Sequence, residues 1–310
     1  MISVAMATYN GARFIERQLQ SILAQTRLPD EIVISDDCSQ DETIAILKAA
    51  QQSSKIPFRI SASAKRLGYI KNFERAILAC SGSVIFLSDQ DNVWFPQKIA
   101  RMLAADQSAL LVHSDAVLVD KSETTISESY SQSSKKHIQD SSFARVLCSN
   151  PVSGCTTMIR RELLDDLTEF PEWMPHDQWL ALLAADRERL TYLPECLISF
   201  RQHENNTLGA GSNTQKSGIR ISSLQVATVN HDKKALLLRK TAGFAKKLIS
   251  EKNIRILDDL ARYHESLGSK RRSFLAAALY MSYSRYIDFG TPWIIRALKG
   301  IATPFRFAST

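Results

Sequence analysis

Residues 2–37, "ISVAMATYNGARFIERQLQSILAQTRLPDEIVISDD", decide the fold. The first seven are short, β-branched and nearly all apolar, as a strand covered on both faces should be. The middle places Ile15, Leu19, Ile22 and Leu23 on one helical face, and "EIVISDD" (31–37) is again strand-like. The same alternation continues outward. "SQDETIAILKAAQQ" reads as a helix opened by Ser39 and Glu42 at capping-box spacing, followed by a strand in "PFRISAS" (57–63). "GYIKNFERAILAC" stacks Ile70, Phe73 and Ile77, "SVIFLSDQD" (83–91) is a strand, and Pro96 suits the first turn of the helix "QKIARMLAAD". Strands alternating with helices predict right-handed βαβ units and an α/β, Rossmann-like, mostly parallel sheet flanked by helices.

Farther along, "ALLVHSDAVLVD" (109–120), "GCTTMIR" (154–160) and "LTYLPECLISFRQH" (190–203) are strand-like, while "RRELLDDL" and "DQWLALLAAD" are helical. Residues 121–142, with eight serines and little that could enter a core, are expected as a mobile loop or lid. The Gly/Ser/Asn-rich stretch 205–218 marks a boundary between a body, 1–210, and a basic, mainly helical C-terminal extension, 211–310.

The chain of 310 residues is 45% hydrophobic and 23% charged, an ordinary globular composition. Its five cysteines are widely spaced with no C-x-x-C, which favours reduced thiols over a disulfide framework or zinc site. Neither a secretory leader nor an 18-residue apolar run is visible, so the expected location is cytoplasmic. The net charge of +7 is uneven: residues 216–310 carry 18 Lys/Arg and 6 Asp/Glu. Such a tail suits an anionic surface. Within it, "TPWIIRALKGIATPFRF" (291–307) has the composition of a helix lying in a membrane interface, placing the protein peripherally on the inner face of the membrane. No nucleic-acid motif accompanies the charge.

Ligands of open α/β sheets bind beyond the carboxyl ends of the strands. Here those ends deliver Thr8, Tyr9, Asn10, Asp36, Asp37, Asp89 and Asp91 to one edge. Asp89 and Asp91 share one side of an extended chain and repel unless a cation lies between them. There is neither G-x-G-x-x-G nor G-x-x-x-x-G-K-[ST]. A divalent ion on the Asp89/Asp91 pair would therefore hold a diphosphate in place of a glycine cradle. Asp36 or Asp37 would accept from a base or ribose, with Tyr9 stacking on the base.

The segments "ATYNG", "IVISDDCSQDET", "LGYIKNFERAI", "FLSDQDNVWFPQKI" and "PHDQWL" followed by "FRQHENNTLG" together resemble the family 2 glycosyltransferases of GT-A fold, and among them the bacterial rhamnosyltransferase-like members. The resemblance covers residues 1 to about 208. It implies transfer of a sugar, with inversion, from a dTDP- or UDP-linked donor to a glycan or lipid-linked acceptor in surface polysaccharide synthesis. It also implies Mg2+ or Mn2+ as cofactor, and by analogy alone rhamnose as the sugar. Position by position it assigns Tyr9 and Asp37 to the nucleoside, Asp91 with Asp89 to the metal, Asp177 to the general base and His203 to a further metal or diphosphate contact. Asn72 either faces the diphosphate or caps its helix. Asn92 and Cys38 stand where members of the family often have Asp and Gly. The rival readings are a metal-dependent nucleotidyltransferase or phosphohydrolase, which would release no glycosylated product, and a nucleotide-sugar-binding protein without turnover.

Overall fold

The computed structural model describes residues 1–134, 139–203 and 231–268, with 278–279 and 282–283. Strands β1 (Ile2–Thr8), β2 (Glu31–Asp36), β3 (Phe58–Ala62) and β4 (Val84–Ser88) alternate with helices α1 (Ile15–Leu23), α2 (Thr43–Ser53) and α3 (Tyr69–Ala79). After a two-residue strand β5 (Val93–Trp94) come α4 (Lys98–Ala104), β6 (Leu111–Val119), β7 (Thr125–Ser127), α5 (Tyr130–Ser133) and α6 (Phe143–Ser149). A 3-10 turn, Gly154–Thr156, leads into β8 (Thr157–Arg160), then α7 (His176–Asp186), β9 (Leu190–Arg201), α8 (His231–Ala245) and α9 (Glu251–Gly268).

The sheet order is β3-β2-β1-β4-β8-β6-β9-β5, with β7 on the outer part of β6. β1, β2, β3 and β4 run parallel. β8 is antiparallel to β4 and β6, β9 is parallel to β6, and β5 is antiparallel to β9. The sheet is therefore mixed and mostly parallel, as the α/β alternation predicts.

Alternate residues of each strand feed opposite faces. Val4, Met6, Ile32, Ile34 and Phe86 pack on Ile15, Leu19 and Ile22 of α1. Ala5, Val33, Ile85 and Leu87 pack on Ile70, Phe73 and Ile77 of α3 and on Trp179–Leu183 of α7. Leu238, Ala242, Leu257 and Leu260 of α8 and α9 belong to that same second core. Phe244 meets the Trp173 and Trp179 rings edge-on at 5.4 and 5.5 Å, and Trp173 Nε1 donates to Thr241 Oγ1 at 3.1 Å. This covered part of the C-terminal extension is thus packed against the body. Residues 205–218, the sequon-like Asn205-Asn206-Thr207 and the segment 291–307 lie outside the described residues.

Two local expectations need correcting. Ser39 and Glu42 form no capping box: α2 begins at Thr43, and its amide is held by Asp41 Oδ1 at 3.0 Å. Ser39 is instead drawn to Asp36, a stronger, charged acceptor. Nor is 121–142 a featureless loop. Asp120 Oδ1 accepts from the amides of Ser122 and Thr124, shaping a turn into β7. The Asp115 carboxylate then gathers the Ser129 and Ser131 hydroxyls at 2.6 and 2.8 Å. Ser129 and Ser131 thus satisfy a buried acid rather than water.

Candidate active site

The ends of β1 and β2 are joined by their own polar side chains. Thr8 Oγ1 donates to Asp36 Oδ2 at 2.7 Å, and Ser39 supplies its amide and hydroxyl at 2.8 and 2.6 Å. Asp36 is completely buried, so its carboxylate is a structural knot between strand ends. Asp37 Oδ1 and Oδ2 accept from the amides of Leu67 and Gly68 at 2.5 and 2.9 Å, at the entrance to α3. Gly68 has φ +87°, a backbone region open to glycine. The guanidinium of Arg66 lies 4.0 Å from the Tyr9 ring centre and 4.0 Å from Asp37 Oδ2. Tyr9, Asp37 and Arg66 thus converge on one spot. Asn72, also buried, donates to the Thr8 carbonyl at 3.1 Å, while its Oδ1 has no partner.

Gln90, between the two aspartates, was not a sequence candidate, yet it organises this edge. Its Oε1 accepts from Tyr9 N at 2.8 Å and its Nε2 donates to Tyr9 O at 3.0 Å. A Cβ on Gly11 would collide with this amide; only glycine lets Gln90 reach across. Asn10 follows at φ +46°, its amide donating to Ser39 Oγ at 2.8 Å. Cys38 takes φ +67°, the left-handed geometry in which glycine is at ease.

The acids gather beyond β4. Asp89 is pushed up to about 7, first by burial, then by the charges of Asp91 and Asp177, with Lys98 opposing. Lys98 is fully buried, its Nζ donating to the Cys155 carbonyl at 2.5 Å and lying 4.0 Å over the Trp94 ring. Burial pulls it down to about 7, against the pull of Asp89. Asp91 Oδ2 meets His203 Nε2 at 2.9 Å, and His203 stacks on Phe14 at 5.0 Å. Asn92 Oδ1 accepts from Arg201 N at 3.1 Å, and Arg201 Nε donates to the Asp91 carbonyl at 3.0 Å. These contacts sew the end of β9, and with it His203, to the acidic turn. The Asn92 amide also lies 3.5 Å from Asp89 Oδ2, offering a donor that an aspartate could not.

Among the described residues no three His, Cys, Asp or Glu side chains form a ready cage for an ion. The donor set nevertheless fits a hard cation. Two carboxylates and an imidazole stand at one edge, and burial together with the nearby acids pushes Asp89 toward its neutral form, a condition that a dication relieves. Magnesium-type sites commonly use one or two carboxylates and take further oxygens from substrate phosphates.

Asp177 sits in the first turn of α7, whose N-cap position is Pro175. Its Oδ1 accepts from Gln178 N at 2.6 Å and Asn150 Nδ2 at 3.3 Å, and its Oδ2 from Gly154 N at 3.2 Å. It is therefore not the helix cap. Its neighbour His176 is buried, with both ring nitrogens unpartnered, stacked on Phe73 at 3.9 Å. Burial holds His176 down near 3, so it is a neutral wedge. Burial, and after it the Asp177 charge, push the nearby Tyr69 phenol well above its usual range. Of the residues expected from sequence, Tyr9 and Asp37 fall together, as do Asp91 and His203. Asp89 feels both Asp91 and Asp177, whereas Asp36 is withdrawn into the frame. Trp94 and Trp179 are buried packing residues.

Comparisons with known proteins bear on the family and the fold. The family profile described as Glycosyl transferase family 2 matches residues 3–168. The dTDP-rhamnosyl transferase RfbG of Shigella flexneri is 31% identical over 224 residues, covering 66% of this chain and 74% of that one. The glycosyltransferase alr2836 of a Nostoc strain is 29% identical over 229 residues, 69% of each. Among solved structures, S. aureus TarS 1-349 in complex with UDP-GlcNAc aligns at TM-score 0.58 and 17% identity, covering 99% of this chain and 89% of that one. Mannosyltransferase PcManGT from Pyrobaculum calidifontis, in complex with GDP-Man and Mn2+, aligns at 0.52 and 16%, covering 97% and 86%. The fold is thus that of GT-A proteins, and the chain belongs to glycosyl transferase family 2, enzymes that move a sugar from a nucleotide sugar.

Proposed function

We propose that this glycosyltransferase inverts the anomeric centre of a dTDP- or UDP-linked sugar, rhamnose in the first instance, and delivers it to a glycan or lipid-linked acceptor. The observation that carries the reading is the meeting of Asp89, Asp91 and Asp177 at one edge, where burial first and then the charges of Asp91 and Asp177 raise Asp89 to about 7. The likeness to a dTDP-rhamnosyl transferase supports the choice of sugar, and the basic composition of 211–310 supports contact with an anionic membrane surface.

Tyr9, stacked by Arg66, would carry the base, and Asp37 would exchange the Leu67 or Gly68 amide, just before α3, for the nucleoside. Asp89, Asp91 and His203 would hold Mg2+ or Mn2+, which supplies Lewis-acid neutralisation of the leaving diphosphate. Asp177, oriented by the Gly154 amide and Asn150, takes the proton of the acceptor hydroxyl as the new bond forms. The N-terminal end of α7 favours its negative charge. Buried Lys98 offsets the acids from below.

Purified protein should be titrated with nucleotide diphosphate sugars, with and without Mn2+, and the products analysed. Asp177→Asn should bind donor as the parent does and lose turnover by about 10^2 or more; unchanged kcat removes Asp177 from this role. Asp91→Asn should lose the metal-dependent part of donor binding. Release of phosphate or nucleoside monophosphate without a glycosylated acceptor would indicate a hydrolase instead.

A further inference from the structure

Beside the acidic edge lies a small basic cavity of about 280 Å³, lined by Arg13, Phe14, Arg17, Lys121, Glu123 and Arg201. Four cations face one carboxylate. That carboxylate is already shared: Glu123 Oε1 lies 2.9 Å from Arg201 Nη2 and 3.7 Å from Arg17 Nε. Arg13 and Lys121 form no ion pair with an acid among the described residues. Two guanidiniums, those of Arg13 and Arg201, lie 4.9 and 5.0 Å from the centre of the Phe14 ring. The ring holds them by attraction to its face, yet like charges gathered so closely repel unless an anion enters.

The wall is built rather than casual. Arg201 is 3% exposed, fixed through Nε to the Asp91 carbonyl and through Nη1 to the Lys121 carbonyl at 3.2 Å. Glu123 holds φ +66° at the tip of the β6–β7 hairpin, a conformation that costs a non-glycine residue about 1 kcal/mol or more. Asp120 pins that tip from both sides. Arg13, Arg17 and Lys121 are all exposed at the rim, free to be met from solvent.

We infer that this cavity is a phosphate subsite, distinct from the carboxylate edge, which takes the phosphate group of a phosphate-bearing reactant. Guanidinium groups match phosphate oxygens in pairs, and the cavity suits one such group better than an apolar ring. Two sources share this chemistry: a phosphate carried by the acceptor, or the diphosphate of the donor. The binding itself stands on the four cations; only the choice between sources rests on the sugar-transfer reading.

The test uses the whole chain in EDTA, titrated calorimetrically with inorganic pyrophosphate. Saturable binding is expected, weakened at least tenfold in Arg13→Gln/Arg17→Gln/Lys121→Gln, all exposed positions, with the thermal midpoint kept as the folding control. No saturable binding, or binding undiminished in the triple variant, overturns the subsite. With millimolar UDP or dTDP present, retained pyrophosphate binding assigns the cavity to an acceptor phosphate, and competitive loss assigns it to the donor. If pyrophosphate binds as expected while no nucleotide sugar is turned over, the subsite stands and the sugar-transfer proposal falls.

Discussion

Replacing Gly154 by alanine probes the link between the buried wedge and the candidate base. The new methyl would stand 2.7 Å from His176 Nε2, close to 1 Å inside ordinary contact at roughly 3.5–4.0 Å. His176 has little room to shift, being buried and stacked face to face on Phe73 at 3.9 Å with the rings 19° from parallel. The turn Gly154–Thr156 must yield, and the 3.2 Å bond from its first amide to Asp177 goes with it. Overpacking costs about 1–3 kcal/mol, and a lost hydrogen bond to a charged group about 1.5–3 kcal/mol. Partial relaxation brings the total to about 2–3 kcal/mol, or a melting point lower by roughly 3–5 °C for a chain of this size. A base displaced by a fraction of an ångström should lose kcat by roughly ten- to a hundredfold. Donor affinity, measured by titration calorimetry, should stay within about twofold, because the nucleoside side of the edge is untouched. Adding His176→Ala should return part of the stability by opening space for the methyl. Wild-type melting and turnover in Gly154→Ala would refute the reasoning.

Other outcomes follow from the same contacts. Cys38→Gly should stabilise the protein by about 0.5–1 kcal/mol, because glycine meets φ +67° without strain; a lower denaturation midpoint would count against it. Gln90→Leu should leave both polar groups of the Tyr9 peptide unmatched, costing about 1–3 kcal/mol, and should weaken donor binding in the same titration. His113, His176 and His264 are each held near 3 by burial. Below about 6.5 the unfolded chain therefore takes up protons that the folded chain refuses, and stability falls as pH falls. The loss is about 2 kcal/mol per imidazole by pH 5. Urea midpoints at pH 7.5 and 5 should show it, and His176→Phe should reduce the difference; equal midpoints would contradict the buried neutral state.

The βαβ order was legible because each segment states its period plainly: continuous apolar strands, then helices with Ile15, Leu19 and Ile22 on one face. Asp89 and Asp91 could be placed at the carboxyl edge of the sheet because they follow an apolar strand, whereas Asp177 was singled out through the resemblance, since a carboxylate at a helix start also serves as a cap. Asp36 and Asp37 look alike in sequence, yet one is sealed between Thr8 and Ser39 while the other holds the mouth of α3; only tertiary pairing separates them. Gln90 and Lys98 were missed for the same reason. A neutral amide between two acids carries no charge signal, and a lysine in a short amphipathic helix reads as solvated until the Cys155 carbonyl and the Trp94 ring are seen around it. Ser129 and Ser131 misled because their partner, Asp115, is supplied by a strand before them.

The aromatic seat of Phe244 on Trp173 and Trp179 makes the two carboxyl-terminal helices a buttress for the helix that bears Asp177. A protein cut before residue 231 would not be a minimal enzyme. It would present a bare tryptophan-rich flank to water, and the helix that carries Asp177 would have lost its backing.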